Sequence, residues 1–369
     1  MVNKTKLLII GPTPPPYHGV AVAIQTLLQS PLSEKYDVVH LELADRRGIQ
    51  HVNKPDFHDV LLFINQWCRL LWLLIRHRPR IVYLVLSQTT IGFIRDSFII
   101  WPAYFGRSRI ILHLHGGYLR EWFLGRSRVM QSYVSATLCR IHHVIVLGES
   151  LKELFNGLVE KSRISVVSNG IEWRTTKSKD RRNRQRYCIL HLSTLSRLKG
   201  ALVFLQAVPI VLRHRQDVEF IFAGCWSHSE DQQEAEAFIA TEHISDYVTF
   251  TGQVAGETKY TLIESADVFV FAGVQQEGQP LVVIEAMGAG LPVIFTDRGC
   301  LRDTVINGET GIEVPINDPN RLADRILWLL KHPDDMEAMG RRARQRYESL
   351  YTKELHIENM DKVFALSAE

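Results

Sequence analysis

Short apolar runs alternate with helix-like segments along the chain, and the same alternation starts again in its second half. In the first half the runs of strand length are KLLIIG, YDVVHLEL, RIVYLVLS, RIILHLHG and HVIVLG. In the second half they are CILHLSTL, VEFIFAG, VTFTGQV and DVFVFAG. Strands that alternate with helices predict a parallel sheet wrapped by helices. In such sheets ligands bind beyond the carboxyl ends of the strands, where this chain repeatedly places Gly, His and Ser.

The charge of the chain is divided unevenly between its two halves. The 369 residues are enough for two domains of ordinary size, and their formal net charge is +3. Residues 1–179 carry +11, whereas residues 180–369 carry −8. A basic first half indicates an anionic partner, such as a phospholipid leaflet or a lipid-diphosphate acceptor. No aromatic and basic platform is evident, so nucleic acid is not an expected partner.

The cysteines and the N-terminus indicate a reducing compartment. The five cysteines are scattered and form no C-x-x-C pair, so we expect neither disulfides nor a zinc site. Buried free thiols in a cytoplasmic protein are the expected alternative. The first apolar run is ended too soon by Gly and Pro to be a signal peptide.

One long apolar segment, Val60 to Arg80, has two interpretations. Asn65, Gln66 and Arg69 interrupt it, so a membrane span is not expected. A core helix of the first domain, with a basic C-terminal turn that suits the helix dipole, is the favoured interpretation. The alternative is peripheral contact with an anionic membrane at its inner face, made through the basic half of the segment.

Two carboxylates eight positions apart make EGQPLVVIEAMGAGLPVIFTD, Glu277 to Asp297, the most informative stretch for function. Glu277 lies in a Gly-Gln-Pro turn, and Pro280 suits the first position of the apolar helix that follows. Free amides at a helix N-terminus can hold a phosphate or a sugar hydroxyl. Glu285 would be a buried acid, which needs a partner such as a pair of ribose hydroxyls. A surface loop acid and an ordinary helical Glu are the alternative.

Three further positions could contact a ligand. Gly19 follows the first strand and permits close backbone approach, opening a helix at Ala21. His115 ends a strand in which alternation places it on the same face as His113. Lys199 follows the first strand of the second half, where an ammonium can neutralise a diphosphate. A turn glycine, a structural histidine and a solvated lysine are the respective alternatives.

The ordered stretch around Glu277 and Glu285 resembles the E-x7-E signature of retaining glycosyltransferases of family 4, which have the GT-B fold. The resemblance implies two Rossmann-like domains with parallel sheets that face a central cleft. The first domain, at 1–172, would bind the acceptor and would be completed by a C-terminal helix at about 350–369. A basic linker at 173–186 would lead to the second domain, at 187–349, which would bind the nucleotide sugar.

The resemblance also implies roles for individual residues. Glu277 would contact the hydroxyls of the donor sugar, and Glu285 the nucleotide ribose. His115 would contact the sugar and stabilise positive charge at the anomeric carbon. The family usually has an Arg at the position of Thr194, so Thr194 or Arg197 would assist Lys199 at the diphosphate. The predicted donor-binding set is Gly19, Thr194, Arg197, Lys199, Gln253, Val254, Glu277, Gly278, Gln279, Pro280, Leu281, Val282 and Glu285.

The function implied is retaining transfer of a sugar from a nucleotide diphosphate sugar, with uridine diphosphate as the expected nucleotide. The acceptor would be a glycolipid, a polysaccharide or another glycan, as in the biosynthesis of surface polysaccharides. No D-x-D motif is apparent, so we expect chemistry without a metal or a cofactor. Two alternatives remain: an epimerase-like enzyme that modifies a nucleotide sugar, and a protein that binds the nucleotide sugar without turnover.

Overall fold

The chain forms two compact units, each built around its own sheet. The computed structural model describes residues 4–15, 18–43, 57–173 and 186–368. The first unit comprises Met1–Asn169 and Lys353–Glu369, and the second comprises Gly170–Thr352. Most of the predicted basic linker at 173–186 lies outside the described residues.

The first unit contains a six-stranded parallel sheet in the order β2-β1-β3-β4-β5-β6. Its strands are β1 (Thr5–Gly11), β2 (Tyr36–Glu42), β3 (Ile81–Val85), β4 (Arg109–Leu114), β5 (His143–Val146) and β6 (Ile164–Val166). Its helices are α1 (Gly19–Leu28), α2 (Leu32–Lys35), α3 (Phe57–His77), α4 (Thr90–Phe105), α5 (Leu119–Leu124), α6 (Arg128–Leu138) and the C-terminal α14 (Lys353–Ala368), with 3-10 turns at Glu149–Phe155 and Lys161–Arg163.

Burial of both sheet faces explains the unbroken apolar run of the first strand. Leu7, Leu8, Ile9 and Ile10 are all buried, as is usual for a central parallel strand covered on both sides. Leu7 and Ile9 belong to a core cluster with residues of α1 and with Met360, Val363 and Phe364 of α14. The C-terminal helix therefore packs on the first sheet although the second unit separates the two in sequence.

The second unit repeats the architecture with a different strand order, β12-β11-β10-β7-β8-β9. Its strands are β7 (Tyr187–Leu192), β8 (Val218–Ala223), β9 (Val248–Gly252), β10 (Val268–Phe271), β11 (Val293–Thr296) and β12 (Gly311–Val314). Its helices are α7 (Ala201–Leu212), α8 (Ser229–Glu242), α9 (Gly256–Ser265), α10 (Leu281–Gly288), α11 (Leu301–Thr304), α12 (Pro319–Lys331) and α13 (Pro333–Leu350), with a 3-10 turn at Ser245–Tyr247.

Each sheet has a point at which the strand order reverses. In the second unit the chain passes from β7 outward to β8 and β9, then returns to place β10 on the other side of β7. In the first unit the same reversal lies between β1 and β3. The loops at the carboxyl ends of the two strands diverge at such a point and leave a crevice, which is where open α/β sheets bind ligands.

Two sequence expectations are corrected by the fold. Only Cys188 and Cys300 are buried, whereas Cys68, Cys139 and Cys225 are exposed free thiols, so the prediction of buried cysteines is wrong for three of them. The helix in the Val60 to Arg80 segment buries one face through Leu70 and Leu73 but exposes apolar residues on the other. None of the described helices is long and apolar enough to cross a membrane.

Candidate active site

The second unit brings Lys199 and Glu277 together at its reversal point. Lys199 lies in the loop after β7 and Glu277 in the loop after β10, and these strands are neighbours. The Lys199 Nζ is 2.5 Å from Glu277 Oε1. The amide of Gln275 donates to the same oxygen at 2.7 Å. The two side chains retain 26% and 12% of their exposure, so the ion pair is sheltered but still accessible to a ligand.

A glycine makes the close approach of these two loops feasible. The backbone N–H of Val274 donates to the Leu198 carbonyl at 2.9 Å. Gly200 has a φ of +87°, and a Cβ there would lie 2.2 Å from the carbonyl oxygen of Ala272. Any other residue would be strained and would also clash with the backbone. Gly200 therefore fixes the position of Lys199 beside the loop that carries Glu277.

The loop after β11 holds the backbone of Glu277 from the other side. Gly299 has a φ of +61°, and a Cβ there would lie 1.7 Å from the Glu277 carbonyl oxygen. The N–H of Gly299 donates to Gln276 Oε1 at 2.8 Å. Three loops at one end of the sheet thus fix Glu277, so its placement depends on the tertiary structure as well as on the E-x7-E spacing.

The predicted turn before α10 differs in one detail from the expectation. Pro280 is the residue before the helix, with φ −64° and ψ 123°, and not its first helical residue. The Pro280 carbonyl accepts from Val283 at 3.1 Å, so the N–H groups of Leu281 and Val282 precede the first intrahelical bond. Gln279 is buried and its amide donates to Thr304 Oγ1 at 3.1 Å, which gives it a structural role beside the buried Gly278.

Glu285 is buried in α10 and is paired on one side only. The Lys259 Nζ is 2.6 Å from Glu285 Oε1, whereas the buried Oε2 has no hydrogen-bond partner. Burial raises the pKa of the Glu285 carboxyl, and the ammonium of Lys259 opposes that rise. A buried oxygen without a partner is costly unless a ligand supplies a hydrogen bond. The arrangement suits a ligand hydroxyl that donates to Oε2.

Sequence reasoning missed Lys259 and Gln275. A buried acid in an apolar helix requires a cationic partner, but the sequence offers several lysines and arginines for Glu285. Lys259 precedes it by 26 residues on α9, and only the packing of α9 near α10 identifies it. The signal for Gln275 was its place two residues before Glu277 in the same loop.

The other predicted phosphate-binding residues have different surroundings. Thr194 is exposed in the loop after β7. Arg197 is also exposed, and its guanidinium pairs with Glu234 and lies 3.7 Å from Asp231. The backbone N–H of Arg197 donates to Asp231 as well, at 2.8 Å. The structure therefore holds Arg197 against α8, whereas Lys199 is held against Glu277.

The predicted nucleotide-base loop follows the edge strand β9. Gln253 is exposed, and Val254 is half-buried against a core cluster of the second unit. The helix after this loop, α9, also carries Lys259. One short segment thus presents both the proposed base-binding backbone and the partner of Glu285.

In the first unit, His115 lies beside His113, as strand alternation predicts. Their ring centroids are 4.0 Å apart. The Tyr83 hydroxyl is 2.6 Å from His113 Nδ1, but the buried Nε2 atoms of both histidines have no hydrogen-bond partner. Burial, together with His356 and His18, lowers the pKa of His115 to about 3. Burial lowers the pKa of His113 as well, so both rings are neutral at physiological pH.

Gly19 begins α1, two residues earlier than the predicted helix start at Ala21. A Cβ at Gly19 would meet no atom within 4 Å, in contrast to Gly200. The Nδ1 of His18 caps the helix by accepting from Ala21 N–H at 3.3 Å. Because packing within the unit does not require a glycine at this position, the open space beside it is available to a ligand.

The described residues contain no group of three or more His, Cys, Asp or Glu side chains that could hold a metal ion. Among the predicted site residues, Glu277 and Glu285 each form an ion pair in the second unit, and His115 lies as a neutral ring beside His113 in the first.

Comparison with known sequences gives a family for most of the second unit. Residues 174–346 match the family described as glycosyl transferases, group 1. This match confirms that the second unit resembles a glycosyltransferase family, as the sequence predicted.

The chain is also similar to curated proteins over part of their length. It is 29% identical over 243 residues to phosphatidyl-myo-inositol mannosyltransferase of Mycobacterium leprae (strain TN), covering 65% of this chain and 60% of the relative. It is 30% identical over 182 residues to spore coat protein SA of Bacillus subtilis (strain 168), covering 48% of each. The chain therefore spans about half to three fifths of the length of these relatives.

Solved structures show similarity over nearly the whole chain. HepE of Anabaena, in complex with UDP and glucose, aligns with a TM-score of 0.76 at 16% identity. The alignment covers 98% of this chain and 99% of the HepE chain. Sucrose-phosphate synthase of Thermosynechococcus elongatus has a TM-score of 0.75 at 18% identity, with 98% of each chain covered. Likeness at these identities shows the fold, and it confirms the predicted GT-B fold of two Rossmann-like domains with parallel sheets.

Proposed function

Because residues 174–346 belong to the group 1 glycosyl transferases, we propose that this chain transfers a sugar from a nucleotide diphosphate sugar, with retention at the anomeric carbon. The observation that carries the proposal is the sheltered pair of Lys199 and Glu277 at the reversal point of the second sheet. Uridine diphosphate is the proposed nucleotide, since the similar HepE structure contains UDP. The proposed acceptor is a glycan or a lipid-linked glycan, because the first half is basic.

The pair can exchange its internal contact for contacts with the donor. When a diphosphate enters, the Lys199 ammonium is drawn to its oxygens, and Glu277 then accepts hydrogen bonds from the sugar hydroxyls. The N–H groups of Leu281 and Val282, with the dipole of α10, add positive potential at the same end of the sheet. These groups supply the charge stabilisation that a departing diphosphate requires.

The proposed transfer takes place on one face of the sugar. The bond between the anomeric carbon and the diphosphate oxygen breaks, and the diphosphate keeps the electron pair. The acceptor hydroxyl oxygen forms the new bond on the same face, and its proton passes to the departing diphosphate oxygen. Lys199 stabilises the negative charge of the leaving group while Glu277 orients the sugar. This chemistry requires no metal or cofactor.

Two further residues have proposed roles at the donor. The free Oε2 of Glu285 is suited to accept from a ribose hydroxyl, with Lys259 fixing the orientation of the carboxylate. His115 is the proposed catalytic residue of the first unit. Its neutral ring and unpartnered Nε2 suit a hydrogen bond with a sugar hydroxyl.

Paired substitutions test the two carboxylates separately. We expect Glu277→Gln to lower the transfer rate by about 10²–10³-fold while the Kd for UDP changes by less than about threefold. Glu285→Gln should weaken UDP binding by about tenfold, because an acceptor for a ribose hydroxyl becomes weaker. Glu242→Gln, an exposed acid at the end of α8, serves as the matched control. Rates come from a transfer assay and affinities from calorimetry.

The configuration of the product completes the test. Nuclear magnetic resonance of the product should show the same anomeric configuration as the donor. An inverted product, or unchanged turnover in Glu277→Gln, would contradict the proposal. Formation of a new nucleotide sugar from the donor alone would instead identify an epimerase, and tight donor binding without any turnover would identify a binding protein.

A further inference from the structure

Two neighbouring helices of the first unit each expose an apolar stripe. On α3 the stripe consists of Leu61, Ile64, Cys68, Trp72 and Ile75. On α4 it consists of Ile91, Ile94, Phe98 and Phe105. In both helices the members recur three, four or seven positions apart, which is one or two helical turns, so each set lies along one side of its helix. The exposed fractions reach 74% for Ile75, 77% for Ile91 and 72% for Phe105, which is unusual for such large apolar side chains.

The two stripes form one surface, which we call the α3–α4 face. The Trp67 indole N–H donates to the Phe98 carbonyl at 3.1 Å, and the Phe63 and Phe98 rings are 5.6 Å apart. Each helix already has a separate buried side, through Leu70 and Leu73 on α3 and Phe93 and Ile100 on α4. A surface helix normally turns polar residues outward. The α3–α4 face therefore needs a partner that the described residues of the unit do not supply.

The charge around this face is mainly positive. Residues 57–124, from the start of α3 to the end of α5, contain eight arginines and three acids, Asp59, Asp96 and Glu121. Asp96 is fully buried, bonded to Arg95 and to the Ser87 N–H, so it contributes no exposed negative charge. Arg69 and Arg76 are exposed and directly follow stripe residues Cys68 and Ile75 on α3. The face is thus apolar along its middle and positively charged at its border.

This charge pattern distinguishes between occupants. A second copy bound through a two-fold contact would place the same arginines against each other, which is unfavourable. A bilayer with anionic lipid accepts apolar side chains at the boundary between headgroups and acyl chains, and its phosphates attract arginine. Aromatic residues such as Trp72 and Phe105 are also favoured at that depth. The surface chemistry matches the bilayer.

We propose that the α3–α4 face docks the protein on a membrane that contains anionic lipid, with the stripes inserted and the arginines at the headgroups. A membrane-bound protein would be close to a lipid-linked acceptor. The docking goes beyond the proposed transfer reaction and does not require it. Binding to vesicles is measured without donor or acceptor, so either proposal can fail while the other holds.

Sedimentation with vesicles tests the docking. The protein of 369 residues should sediment with phosphatidylcholine vesicles that contain phosphatidylglycerol, more weakly at high salt, and much less with phosphatidylcholine alone. Replacing Ile75 and Phe105 together by Ser should weaken binding by at least about tenfold. Leu366→Ser replaces an apolar residue on α14 that is 63% exposed; it is the matched control and should bind normally.

Two more variants separate charge from insertion. Arg69→Gln combined with Arg76→Gln should weaken binding to the anionic vesicles by about thirtyfold, whereas Arg325→Gln in the second unit should have no effect. A polarity-sensitive fluorophore on Cys68 should shift to the blue on vesicle binding, and one on the exposed Cys225 of the second unit should not.

Two results would overturn the proposal. One is equal binding of the wild type and the Ile75/Phe105 double variant to anionic vesicles. The other is a concentration-dependent dimer, seen by sedimentation without lipid, that the same double substitution abolishes, because that would identify a second copy as the occupant.

Discussion

The two units use the same end of a parallel sheet for different chemistry. At the reversal point of the second unit, charged side chains are sheltered in pairs, Lys199 with Glu277 and Lys259 with Glu285. At the corresponding end of the first sheet, the imidazoles of His113, the half-buried His115 and His356 of α14 are neutral, and the buried Asp96 pairs with Arg95 beside Ser87. The shared topology decides where a ligand can bind, and the residues that follow the strands decide what kind of ligand it is.

One glycine in each unit shows a second difference between the units. Gly200 is required by the protein itself, because its φ is positive and its Cβ position is occupied by a neighbouring loop. Gly19 is not required by packing, since nothing lies within 4 Å of its Cβ position. A glycine at the first kind of position is structural, whereas one at the second kind keeps space for a ligand.

The largest effect should come from removing the charge of Lys199. Lys199→Met leaves Glu277 without its cation and the proposed diphosphate without its principal counter-charge. We expect transfer to fall by about 10²–10³-fold, with weaker donor binding, while Lys199→Arg keeps part of the activity. Steady-state kinetics and calorimetry measure the two effects. Near-normal transfer by Lys199→Met would show that the ion pair has only a structural role.

The two glycines provide a matched pair for stability. Gly200→Ala should lower the free energy of unfolding of the second unit by about 3 kcal/mol, from backbone strain and the clash with Ala272. Gly19→Ala should change stability by less than about 0.5 kcal/mol yet lower the transfer rate, because the methyl group occupies the open space. Chemical denaturation and the transfer assay check both. Normal transfer by Gly19→Ala would show that no ligand approaches this residue.

Acid should destabilise the first unit more than the second. A histidine whose pKa is lowered in the folded state takes up a proton more readily when unfolded, so stability falls as the pH drops below 6.5. For His115, with a pKa of about 3, the loss at pH 5 is about 2 kcal/mol. His191 of the second unit, with a pKa of about 4, gives a similar loss. The first unit has in addition His113 and His356, whose pKa values burial also lowers.

Buried carboxyls do not create this difference. Burial raises the pKa of one carboxyl in each unit, Asp96 in the first and Glu285 in the second. A raised carboxyl pKa makes stability rise as the pH falls, which is the opposite of the effect of the histidines. Hydrogen exchange at pH 7 and pH 5, corrected for intrinsic rates, should show that β4 loses protection before β7. The opposite order would contradict the assignment of neutral histidines to the first unit.

The smallest effect should come from Arg197. Its guanidinium pairs with acids of α8 on an exposed surface, and such pairs contribute little. Arg197→Gln should therefore change both stability and donor affinity by less than about 0.5 kcal/mol, in contrast to Lys199→Met. A loss of donor affinity as large as that of Lys199→Met would show that Arg197 leaves α8 to bind the diphosphate.

Much of the fold could be read from the sequence because its signals are local. Apolar runs such as KLLIIG and RIILHL become buried parallel strands, and alternation along one of them correctly places His113 beside His115. The helix after Gln279 was predicted, but its start was misplaced by one residue, since Pro280 adopts an extended ψ and caps the helix from outside.

The partners of the site residues could not be predicted in the same way. Lys199 and Glu277 are 78 residues apart, and Lys259 and Glu285 are on different helices. The favoured interpretation of the α3 segment as a core helix did not predict its exposed stripe, because a helix with two apolar sides resembles a core helix in sequence; only the alternative of membrane contact allowed for it. Whether its second side is covered depends on which elements pack beside it.

The sequence alone determined the alternation of strands and helices, the glycosyltransferase-like spacing of Glu277 and Glu285, and the basic character of the first half. These are properties of neighbouring residues or of composition, and they hold before any long-range contact forms. The tertiary structure decided that Lys199 pairs with Glu277, that Arg197 is held by α8, and that an apolar face stays exposed. Those outcomes depend on which loops meet at the end of a sheet and on which surfaces other elements cover.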